Sequence, residues 1–159
     1  MKTLVIVCIS VGFTLLHAWN PAIAQGSQEH VHQMSHDVMP FDMTKTLHIF
    51  KMTETGGIER VVVRESKDGE QVTLIRQHLK HEADNFIRGD YSDPFKLHGA
   101  AMPGLAELQA GASRVKVSYH EIPTGAEIVF ATADVSLLTA VHRWFGAQLS
   151  EHGADAKAE

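Results

Sequence analysis

Cysteine is nearly missing from this chain of 159 residues: Cys8 stands alone. That excludes a disulfide framework and a four-thiolate zinc site. Positive charge is also short, with 14 Lys and Arg against 19 Asp and Glu and a net charge of −5. No cationic surplus exists to neutralise phosphates, which argues against general nucleic-acid binding. The longest uncharged apolar run, Thr3 to Leu16, has 14 residues, short of the roughly 20 that a spanning helix needs. There is no G-x-S-x-G, no phosphate-binding glycine loop and no C-x-x-C-H, so three common chemistries lose their usual scaffolds. What remains is a globular composition, 44% hydrophobic and 21% charged, with 11 His and 6 Met. The histidine excess is the departure from average usage.

The first residues read as an address. Lys2 precedes the apolar run, and Ala22-Ile23-Ala24 supplies a small-x-small cleavage site before Gln25. This is the three-part pattern of a secretory signal peptide over residues 1–24, which implies a periplasmic or secreted protein with no membrane span after processing. Cleavage would remove the only cysteine while keeping ten histidines. A thiol-free chain suits an oxidising compartment.

Residues 25–43 are polar, lack apolar periodicity and read as a flexible arm. Residues 44–153 read as one α+β domain. Leu47, Ile49 and Phe50 mark a strand over 44–53, Gly56-Gly57 a turn, and Val61 to Val63 a strand over 58–65. Val72, Ile75, Leu79, Ala83 and Phe86 share a face of a helix over 70–88. After a loop over 89–99, Pro103 opens and Gly111 closes a short connector helix. Strands follow over 114–121 and 126–133, separated by Pro123-Thr124-Gly125. Asp134 caps a last helix over 135–151, with Val135, Leu138, Val141, Phe145 and Leu149 on one arc, and residues 154–159 form a disordered tail. The order is ββα twice. The second unit echoes the first in a register that pairs Leu74 with Leu138 and His78 with His142. Two such units predict a four-stranded antiparallel sheet with two helices on one face. Its other face would then be free for a homodimer contact.

The candidate ligands are imidazoles and thioethers. His30, His32, Met34, His36, Met39 and Met43 crowd the arm. His78 and Glu82 lie one turn apart on the first long helix, with His81 nearer solvent, in an order that is not H-E-x-x-H. His98 and Met102 sit in the connector. Such donors suit copper, thioether favouring Cu(I) and imidazole Cu(II). His142 falls on the apolar arc of the last helix, where it could be a satisfied core residue or the axial ligand of a haem. His48, His120 and His152 read as exposed singletons.

The stretches "DVMPFDMTKTLHIF", "GDYSDPFKLHGAAMPGL" and "VHRWFGAQLSEHG" resemble a group of small exported bacterial proteins whose members often carry an aspartate carbamoyltransferase label. The resemblance covers nearly all of the processed chain. That label does not suit these residues: the transferase needs two domains and a Ser-Thr-Arg-Thr phosphate loop, and Thr44-Lys45-Thr46 lacks the arginine. The expectation is therefore an exported, non-enzymatic copper-binding protein acting as a buffer, carrier or resistance accessory. The alternatives are a haem or small-ligand binder and an enzyme with a His/Glu acid-base pair.

Overall fold

A computed structural model describes residues 21–159, with side chains of the first helix from Gln28 onward. The predicted signal sequence lies largely outside the described residues. Two hairpins build the sheet. β1 (Thr46–Thr53) pairs antiparallel with β2 (Gly56–Val63), and β3 (Lys116–Ile122) with β4 (Gly125–Ala131). Each hairpin is followed by a long helix, α2 (Gly69–Ile87) and α5 (Val135–His152). Aspartate caps start both helices. Asp68 accepts from the Gln71 amide, and Asp134 from those of Ser136 and Leu137, which satisfies amides that a helix start leaves open.

The hairpins join through β2 and β4, which run antiparallel with Gly56 opposite Ala131 and Val62 opposite Gly125. This pairing has an internal two-fold relation. A Cβ on Gly56 would collide with the Phe130 carbonyl, and a Cβ on Gly125 with the Val61 carbonyl. The Thr132 amide donates to Thr55 at 2.8 Å, and the Val63 amide to Thr124 at 2.9 Å. The two ββα units are thus structural copies, with Gly56 equivalent to Gly125 and Asp68 to Asp134. The match of His78 with His142 is corrected: capping sets Leu79 against Phe145 and Glu82 against Gln148. A shorter strand-to-helix loop in the second unit shifts the helical register relative to the sequence match.

The predicted α+β class holds, but the sheet has five strands in the order β3-β4-β2-β1-β5 and is mixed. The added strand is the tail: β5 (Ala156–Ala158) lies parallel to β1. Arg64 pairs with Asp155, while Arg60 and Lys51 pair with Glu159, fastening a segment too short to be read as a strand. Arg60 also meets Glu127 at 3.0 Å.

The arm is corrected too. Residues 21–38 form α1 (Pro21–Val38), which buries Val31 and Ser35 and lies against α3 (Ser92–His98) and α5. Met39, Phe41 and Met43 continue into the core. Among the described side chains of the helix, two buried positions amid polar ones leave little periodicity to read. The predicted loop over 89–99 holds α3 (Ser92–His98), and the connector helix is α4 (Leu105–Gly111). On α5 the buried arc centres on Val141, Trp144 and Phe145, whereas Val135 is 74% exposed. Phe50, Phe86, Phe130, Trp144 and Phe145 pack edge-on or tilted across the sheet and helices.

The two-fold relation makes a paired prediction. Gly56→Ala and Gly125→Ala each drive a methyl into a backbone carbonyl across the central ladder, and each should cost about 3 kcal/mol. Gly69→Ala, where a Cβ meets nothing within 4 Å, should stay within about 0.5 kcal/mol of the parent. Urea denaturation of the three variants checks this.

Candidate functional site

Strand parity decides what lies beneath the helices. His48 and Phe50 are two apart on β1 and share a face. Glu59 stands opposite Phe50 on one side and Ile128 on the other. Phe50 and Ile128 are each 1% exposed, so His48 and Glu59 point to the covered face. Above them is a cavity of about 40 Å³, large enough for water or an ion. Its α2 wall includes His78, Leu79, Glu82 and Phe86; its α5 wall includes Trp144, Gln148 and His152. Asp93, Leu97 and His98 of α3 close it with Val38 and Met39.

Burial opposes charge on the interior polar groups. Burial pushes the Glu59 carboxyl up to about 7. Burial also pushes Glu82 up to about 8, helped by a hydrogen bond and like charge from Asp93. Burial lowers His48 to about 3, reinforced by His78 and His98. His78 is lowered to about 4 by burial, against the attraction of Asp93. His152 is held well below its ordinary value by burial and then by His48 and His98. The pocket therefore pairs acids that hold their protons unusually long with neutral imidazoles. A divalent cation entering in exchange for two carboxyl protons would leave the local charge unchanged.

At the cavity mouth His81, Glu82 and Asp93 each offer a ligand atom, and the three atoms lie within 4.8 Å of one another. Glu82 is buried, Asp93 half-buried and His81 exposed. Asp93 and His78 line both the cavity and an open groove outside it, where His36 of α1 and His81 also lie. Among the described residues this is the His and carboxylate group that fits a metal.

Comparison with protein-family models, curated proteins and solved structures finds no match. The site must therefore be read from its own chemistry.

Several predicted ligands converge and several do not. His78, Glu82, His98 and Met39 all line the cavity. His30, His32 and His36 are exposed on α1, with the His32 and His36 rings 6.0 Å apart. Met43 and Met102 are buried in the core, and Met34 packs against it. The arm thus turns its thioethers inward and its imidazoles outward, so it is not one coordinating cluster. His142 donates through Nε2 to the carbonyls of Thr53 and Gly56 at 3.0 and 2.9 Å. It anchors the β1–β2 turn and lines no part of the cavity, which is in any case far smaller than a porphyrin requires. His48 and His152, read as exposed, are 4% and 6% exposed and face the cavity. Glu59, Asp93 and Gln148 were not singled out in the sequence. Glu59 shares parity with Val61 and Val63, and His152 lies seven residues beyond Phe145; both signals were present.

Two outcomes follow. His142→Ala removes the link from α5 to the hairpin turn and should cost about 1–2 kcal/mol in urea melts, with metal affinity unchanged. The pH profile of chelator-treated protein follows from the displaced pKa values. Below about pH 6.5 the unfolded chain protonates imidazoles that the folded chain keeps neutral, so stability falls as pH drops. Between about pH 4.5 and 8 the folded chain retains carboxyl protons that the unfolded chain sheds, so stability falls as pH rises. Three imidazoles against two carboxyls place the maximum near about pH 6–6.5, with about 1.4 kcal/mol per pH unit for each unmatched proton. Thermal melts from pH 5 to 8 should trace that dome; a monotonic trend would contradict it.

Proposed function

We propose that this is an exported, non-enzymatic metal-binding protein that takes a first-row divalent ion, copper(II) foremost, at His81, Glu82 and Asp93. It would serve as a buffer, carrier or resistance accessory. The observation that supports this is the set of three donor atoms within 4.8 Å at the mouth of an imidazole-lined cavity. One nitrogen and two carboxylate donors form a borderline-to-hard set, which suits Cu(II), Zn(II) and their neighbours better than Cu(I). His36 and His78 line the same groove. The apolar run and the Ala22-Ile23-Ala24 motif support export. Among the described residues no helix is long and apolar enough to cross a membrane.

Calorimetric titration of the purified chain tests the reading. Cu(II) should bind more tightly than Zn(II), and Zn(II) more tightly than Mn(II), the order expected for a site with no strong geometric preference. Asp93→Asn and Glu82→Gln should each weaken that binding at least about tenfold. Affinities indifferent to both substitutions would sink the proposal.

A further inference from the structure

Three imidazoles face the cavity from three different elements: His48 on β1, His98 on α3 and His152 on α5. The His98 side chain is 1% exposed, and the other two residues are also buried. Two of the rings have one nitrogen already held: His98 Nδ1 donates to Glu151 Oε2 at 2.7 Å, and His152 Nε2 donates to Gln148 Oε1 at 3.0 Å. One nitrogen of each ring, His48 Nδ1, His98 Nε2 and His152 Nδ1, is buried without a protein partner. A neutral imidazole carries one N–H and one lone pair. The held nitrogens of His98 and His152 donate to oxygen acceptors, so the free nitrogens of these two rings are lone pairs. Two enclosed lone pairs beside the unpartnered His48 Nδ1 call for hydrogen-bond donors or a cation.

The His152 ring stacks on that of His48, with centroids 4.8 Å apart, and meets that of His98 edge-on at 5.2 Å. Imidazoles bound near 2 Å to one tetrahedral ion have centroids roughly 5 Å apart. The free nitrogens are not as closely gathered as the donors of the groove, so the rings must rotate inward to share an ion. A His held through its second nitrogen by a carboxylate, as His98 is by Glu151, is the usual outer support of a metal-bound imidazole. Met39 lines the same cavity, and thioether beside imidazole selects copper.

We propose that His48, His98 and His152, with Met39 on the cavity wall, hold a copper ion in the interior, separately from the groove and independently of it. The competing occupant is water, bridging the unpaired Trp144 Nε1 to one of the imidazoles.

The experiment uses the full chain carrying His30→Gln, His32→Gln and His36→Gln, which removes the exposed imidazoles of α1, and Trp19→Phe, which leaves Trp144 as the single indole. Copper alone is added, as Cu(II) and as Cu(I) under reductant. X-ray absorption should count three imidazole nitrogens around the interior ion, and Cu(II) should quench Trp144 fluorescence. Both signals should persist with Asp93→Asn, and copper affinity at this site should fall at least tenfold with His98→Gln. If His98→Gln does not fold, the nitrogen count and the quenching in the parent decide. Loss of all copper with Asp93→Asn would leave the interior to water and overturn this proposal while sparing the groove. Copper binding untouched by Asp93→Asn but lost with His98→Gln would do the reverse.

Discussion

The antiparallel ladder between β2 and β4 is the contact on which the molecule is organised. At its two ends a backbone carbonyl occupies the place where any side chain on Gly56 or Gly125 would begin. That close approach welds two hairpins into one sheet and relates their ββα units by a local two-fold. The helices then have to lie on the same face, one over each hairpin. Glu59 and Ile128, opposite each other on that ladder, become the floor between them.

Divergence from symmetry makes the site. Equivalent positions carry Glu82 on α2 and Gln148 on α5, and likewise Phe86 and His152. The first unit thus contributes acid to the cavity beside the imidazoles of His48 and His78, and the second contributes amide and imidazole. α3, α1 and the residues after α1 have no counterpart in the repeat, and they close the space between the helices. In this setting burial dominates the electrostatics: it raises the carboxyls and lowers the imidazoles, because each charged form would lose hydration without full compensation. In this interior both the carboxyls and the imidazoles are shifted toward their uncharged forms.

Much of the local structure was legible. Alternation in Val115, Val117 and Tyr119 marks a strand, and the aspartates at 68 and 134 mark helix starts. Each depends on a few neighbouring residues. The arm was not legible as a helix, because α1 has few apolar positions and is stabilised by docking on α3 and α5. The tail was not legible as a strand, because three residues carry no period and the pairing depends on an open edge of β1. Part of the site was visible as composition: His78, Glu82, His98 and Met39 were candidate donors. His48 and Glu59 were hidden by apolar residues on both faces of their strands, so parity alone did not say which face was inside.

By itself, then, the sequence determined two ββα units, their caps and turns, and an excess of imidazole and thioether on a nearly thiol-free chain. These follow from periodicity, turn chemistry and composition, all local or additive properties. Only the tertiary structure decided which face of the sheet the helices cover, and so which polar side chains are enclosed together. That choice belongs to no single segment. A strand has no inside until another element packs on it, and donors far apart in the chain become neighbours only when the hairpins join.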